Sequence, residues 1–83
     1  MITVYSVLKE SKINFTREDC GRIGVAIRED KSMPAYKDKI EQTETYNGES
    51  RKMKVRAYPE ELTPNIQEFA LKYFSEKYAE QTK

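Results

Sequence analysis

Near the C-terminus the apolar residues recur with the period of a helix, and no other segment commits the chain so firmly. Ile66, Phe69, Ala70, Tyr73, Phe74 and Tyr78 stand at offsets of 3, 4, 7, 8 and 12 from the first of them. With about 3.6 residues per turn, these positions share one side. Thr63 precedes them as an N-cap. Pro64 then takes the first helical position, where its missing N–H has no intrahelical partner to lose. Glu68 lies toward the positive end of the helix dipole. The pattern predicts a helix over 64–79, with a fraying tail beyond it. Such a helix must bury its apolar side against something that the rest of the chain supplies.

The second firm element is a hairpin. Asn47-Gly48 is the preferred dipeptide of a type I′ turn, because both residues tolerate positive φ. Behind it, Met53-Lys54-Val55-Arg56-Ala57-Tyr58 alternates apolar and polar residues, as a half-buried strand does. In front, Lys39 to Tyr46 alternates less cleanly. A two-residue turn pairs Tyr46 with Glu49 and Ile40 with Val55. It also sets Glu41 opposite Lys54 and Glu44 opposite Arg51, which places opposite charges across the ladder. A helix opening at Pro34 with Ser32 as its cap competes for the front segment, and a short helical turn at 33–37 is compatible with the strand that follows.

Upstream, Ile2-Thr3-Val4-Tyr5-Ser6-Val7-Leu8 is β-branched and aromatic and reads as a strand. Arg22 to Arg28 alternates branched with small residues and reads as another. Ile23, Val25 and Ile27 would then point to the core, and Gly24 and Ala26 would leave a smooth opposite side. Between them, residues 9–21 are polar, with Ile13 and Phe15 forming a short strand or plugging a loop into the core. The expected fold class is α+β: one domain over 1–83, an antiparallel sheet of about four strands, and the C-terminal helix packed on one face. The expected core joins Ile2, Val4 (or Tyr5 and Val7), Ile23, Val25, Ile27, Ile40, Met53, Val55 and Ala57 to Ile66, Phe69, Ala70 and Tyr73.

Several chemistries lack their parts. The 83 residues contain no histidine, which removes Ser-His and Cys-His nucleophile pairs and the commonest general base. One cysteine, Cys20, makes neither a disulfide nor a sulfur cluster for zinc, and beside Glu18 and Asp19 its thiolate is disfavoured. The glycines are isolated at 21, 24 and 48, so there is no phosphate loop, and no calcium loop is present. The expectation is a protein that is not an enzyme and uses no metal or cofactor. The first residues lack a basic n-region and long apolar stretch, and no apolar run approaches the roughly 20 residues of a membrane span. A cytoplasmic location is expected.

Charge supplies the candidate site. The chain is 35% charged yet carries a net charge of only +1. Residues 32–58 hold six basic and four acidic side chains, and residues 59–83 hold three and five. On the predicted hairpin, Lys52, Lys54 and Arg56 share one face at a spacing of about 6.6–6.8 Å, near the phosphate repeat of an extended single strand. Tyr58 is in phase to stack a base, with Lys39 and Arg51 flanking. The plainer alternative is a solvated sheet face. On the helix, Phe74 at the border of the apolar arc and Tyr78 farther along it are candidates for a protein interface, or else core.

In length and composition (Lys/Glu/Tyr-rich, without His or Trp) the chain resembles the small accessory proteins of tailed bacteriophages. That resemblance implies a stoichiometric inhibitor, in the host cytoplasm, of a larger nucleic-acid-handling protein such as a nuclease or toxin. The expected partner is a larger protein, together with RNA on the basic hairpin face; a homodimer is compatible with the sequence, and no membrane is expected. A protein-only inhibitor is the alternative, and a small metal-free ribonuclease using Lys, Arg, Tyr and Glu comes third.

Overall fold

The computed structural model describes residues 1–33, 36 and 38–81. The elements run α1 (Val4–Glu10), α2 (Arg17–Glu29), β1 (Lys39–Tyr46), β2 (Glu49–Arg56), a 3-10 turn (Glu60–Leu62) and α3 (Thr63–Gln81). The fold is α+β, but its proportions depart from the expected ones. Among the described residues there are three α-helices and a single two-stranded antiparallel sheet.

Both predicted upstream strands are helices, and capping explains why. Thr3 stands before α1 as N-cap. Its hydroxyl accepts from the Ser6 amide at 3.1 Å, and the Ser6 hydroxyl accepts from the Thr3 amide at 2.9 Å. Thr16 and Asp19 form the same reciprocal box before α2, at 3.2 and 3.0 Å. These boxes satisfy backbone donors that a helix start otherwise leaves open. Within α1, Val4, Val7 and Leu8 are buried together; within α2, Asp19, Ile23 and Ile27 form the buried stripe at intervals of four. A strand over 22–28 would have buried Val25 beside Ile23 and Ile27, whereas in the helix Val25 turns outward and is 40% exposed. Of the segment 2–8, only Ile2 pairs as β-structure. Its backbone exchanges hydrogen bonds of 2.9 and 2.8 Å with Tyr58.

The hairpin holds the expected register: Ile40 faces Val55, Glu41 faces Lys54, Glu44 faces Arg51 and Tyr46 faces Glu49. Asn47 and Gly48 take φ of 52° and 84°, the pair of positive values that a type I′ turn demands. The C-terminal helix begins one residue earlier than expected and runs two farther, through Gln81. Thr63 does not cap it. The 3-10 turn continues directly into α3, and the Thr63 hydroxyl donates to the Glu60 carbonyl at 2.7 Å instead. The expected helical turn at 33–37 falls partly on positions outside the described residues.

The core lies between the helices. Val4, Val7 and Leu8 meet Ile23 and Ile27 of α2 and Ile66, Ala70 and Phe74 of α3, with Tyr58 closing one end. Thus α3 packs against α1 and α2, and not across a four-stranded sheet. Ile40, Met53 and Val55, expected in the core, are only half-buried. Ile13 and Phe15 plug the α1–α2 connection against the core. One clamp fixes α2 to α3: the Asp19 carboxylate, 3% exposed, accepts from the Tyr73 hydroxyl at 2.7 Å and from the Lys77 ammonium at 2.9 Å.

Candidate nucleic-acid interface

The hairpin leans on the helices through one of its faces. Tyr5, Phe15 and Tyr46 meet edge to face, with ring centroids 5.5–5.8 Å apart. The Tyr5 hydroxyl accepts from the Thr45 amide at 3.0 Å, and Thr3 donates to the Gln42 side chain at 2.8 Å. The opposite face carries Lys39, Glu41, Thr43, Thr45, Ser50, Lys52, Lys54 and Arg56 by the register. Lys39, Lys52 and Lys54 are exposed, and Arg56 is half-buried. The predicted stripe is therefore assembled, with Lys39 directly across from Arg56. Glu41 faces Lys54 in the ladder, yet among the described residues none of these four cations forms an ion pair.

Two other sequence candidates lie elsewhere. Arg51 points to the other face and its guanidinium pairs with Glu49 at 3.8 Å. Tyr58 is 2% exposed. The strand ends at Arg56, the chain turns, and the ring goes into the core, where it meets Tyr36 edge to face at 5.7 Å. It has no face to offer a base. On α3, Phe74 is buried core, whereas Tyr78 is 52% exposed and stacks on Phe74 at 6.2 Å.

The tertiary structure adds what the sequence did not reveal. A groove of about 320 Å3 runs between the flank of α2 and strand β2. Its α2 wall includes Arg17, Gly21, Gly24, Val25 and Arg28; its hairpin wall includes Met53 and Val55 of the helix-facing side, and Lys39, Lys54 and Arg56 of the opposite face also border it. Five cations from α2, β1 and β2 thus border one groove, against a single lining carboxylate, Glu44. Glu44 is itself buried and accepts from the Tyr46 hydroxyl at 2.6 Å. Burial first, and then this hydrogen bond, hold the Tyr46 hydroxyl protonated far above its usual range. Arg17 lies over the Tyr46 ring, 5.4 Å from its centroid. The Nε of Arg56 is buried and has no hydrogen-bond partner, so one donor at the groove wall lacks an acceptor. The only prior signal for Arg17 and Arg28 was their spacing of eleven, three helical turns, which means nothing while the segment is read as a strand.

Cys20 also lines the groove, and burial first, then the Glu44 charge, push its thiol up to about 11. It stays protonated and unreactive near neutral pH. A larger depression of about 830 Å3 lies beyond Tyr46, but Glu18 and Glu49 accompany Lys9, Lys12 and Arg17 there, so it has no uniform sign of charge. No helix of the described residues is long and apolar enough to cross a membrane. Comparisons with family models, with curated proteins and with solved structures yield no match to this chain.

Proposed function

We propose that this chain is a non-catalytic nucleic-acid-binding protein whose site is the cationic groove between α2 and the hairpin, together with the adjoining hairpin face. The observation that carries the reading is the convergence of Arg17 and Arg28 with Lys39, Lys54 and Arg56 on one groove, none of them in an ion pair among the described residues. Unpaired cations on a nearly neutral chain are a local device, since the net charge of +1 cannot attract polyanions by itself. Lys52 extends the charged face along the strand. The absence of histidine from the sequence, and the burial of Tyr58, favour binding over cleavage.

The expected result is steep salt dependence. Engagement of these six cations gives a slope of log K against log salt near −5, so affinity falls about a thousandfold between about 50 and 200 mM salt. Reversing Arg28, Lys54 and Arg56 to glutamate removes about three units of slope and weakens binding by at least about a hundredfold. Anisotropy titrations of labelled oligonucleotides, duplex and single-stranded, measure both quantities. If no nucleic acid binds at about 50 mM salt, or the triple variant binds like the parent, the reading fails.

A protein-directed reading has one observation of its own. Leu71 and Tyr78 are 63% and 52% exposed and lie seven residues apart on one side of α3. Under that reading, binding to a purified partner survives high salt and drops tenfold or more, about 1.4 kcal/mol, in Tyr78→Ala. Binding that follows the charge variants and ignores Tyr78→Ala rules it out.

A further inference from the structure

Resting on the nucleic-acid reading above, we infer that the occupant of the site is duplex DNA, with α2 in the major groove and the hairpin on the phosphate backbone that borders it. Three observations lead there.

The first is the arrangement of α1 and α2. Two consecutive helices, joined by residues 11–16, pack against each other, and α3 backs them both. The second helix is held from behind: Ile23 and Ile27 are buried, and Asp19 is bound by Tyr73 and Lys77 of α3. Its other side is left open. A helix backed in this way, second of two consecutive packed helices, has one side free to enter a major groove.

The second is the shape of that open side. Gly21, Arg22, Val25, Ala26 and Arg28 are exposed, and a Cβ added at Gly21 or Gly24 meets nothing within 4 Å. No aromatic or long apolar side chain stands on it. A helix about 10–12 Å across, trimmed by small residues, fits a groove about 12 Å wide, and the arginines at 17 and 28, which form no ion pair among the described residues, can reach phosphates or guanine edges. Of the carboxylates on this side, Glu18 is bound by Arg22 one turn on, and Glu29 is the last residue of the helix.

The third is the lack of a stacking platform. Single-stranded RNA is held by exposed ring faces. Here Tyr5 and Tyr58 are buried, and Tyr46 and Phe15 are half-buried and locked edge to face with Tyr5. The one tyrosine exposed among the described residues, Tyr78, belongs to α3. Duplex RNA is excluded by form, since its major groove is too narrow for a helix. The hairpin cations across the groove from α2 then face the backbone of the strand that α2 enters beside.

The test uses the full chain and random-sequence pools of labelled duplex DNA, duplex RNA and single-stranded RNA of equal length, at one salt concentration. Duplex DNA is expected to bind at least about tenfold more tightly than either RNA. Gly21→Glu places bulk and negative charge on the open side and is expected to weaken duplex DNA binding at least about tenfold. Gly21→Ala is expected to raise the melting temperature by a few degrees, since it removes backbone freedom from the unfolded chain. Val25→Glu, on the same side, serves if Gly21→Glu does not fold. RNA binding as tight as duplex DNA, or α2 variants without effect on duplex DNA, overturns the inference and leaves the nucleic-acid reading standing. Binding of none of the pools overturns both.

Discussion

Replacing Leu8 with alanine is expected to remove a large share of this protein's stability. Leu8 is fully buried on α1, where it is packed among Ile23, Ile66 and Phe74 from the other two helices. Truncation loses the transfer free energy of three carbons and leaves a cavity that three rigid helices close only in part. The expected cost is about 3–5 kcal/mol. A chain of this size has roughly 4–12 kcal/mol in total. The melting temperature should therefore fall by about 15 °C or more. Val25→Ala is the control. At 40% exposure on α2 it should change stability by less than about 0.5 kcal/mol, because alanine is the better helix former and little burial is lost. The comparison also discriminates between folds. Were residues 22–28 a strand with Val25 inward, Val25→Ala would be as costly as Leu8→Ala. Thermal and urea unfolding of the two variants reads the difference, and a Leu8→Ala loss below about 1 kcal/mol would remove Leu8 from the core.

The second large effect belongs to Asp19. Its carboxylate closes the capping box of α2 and receives Tyr73 and Lys77 of α3, so one side chain fixes the start of α2 to the middle of α3. Burial alone would raise its pKa. The Tyr73 hydroxyl, the Thr16 amide and Lys77 outweigh burial and lower it to about 2. The folded pKa thus lies below the unfolded one. The resulting stability is present above about pH 4 and is lost as pH falls toward 2. The shift corresponds to about 2 kcal/mol. Asp19→Asn keeps the shape but gives Lys77, 33% exposed, no counter-charge. It should cost about 2–3 kcal/mol at pH 7, below the range for a fully buried pair because water reaches the lysine. Between pH 5 and 2 the parent should lose stability and converge on the variant. Urea midpoints across that range test it, and parallel curves for parent and variant would show that Asp19 is not the titrating group.

The two elements read correctly from the sequence are those whose signals are local. The Asn47-Gly48 turn fixes the hairpin register because positive φ at two successive residues admits few alternatives, and the charges across the ladder agree with it. The α3 periodicity runs for more than three turns, long enough to outweigh propensity. In contrast, α1 has seven residues, and its β-branched composition resembles a strand. In α2 the alternation of Ile23, Val25 and Ile27 satisfies a period of two, while Asp19, Ile23 and Ile27 satisfy a period near four. The boxes Thr3–Ser6 and Thr16–Asp19 were the available correction, and Thr-x-x-Asp before a branched run is a legible helix start.

What the sequence determined by itself, then, was the hairpin with its register, the C-terminal helix, and the basic stripe of Lys52, Lys54 and Arg56. Each depends on neighbours within a few positions. Tertiary structure decided the rest. It placed Tyr58 in the core, because the chain leaves the ladder after Arg56 and pairs once with Ile2. It turned Val25 outward and brought Arg17 and Arg28 to the hairpin cations, because the buried stripe of α2 fixes its rotation against α3. Pairings between residues many positions apart are set by which faces are buried together, and that choice is made only when the helices pack.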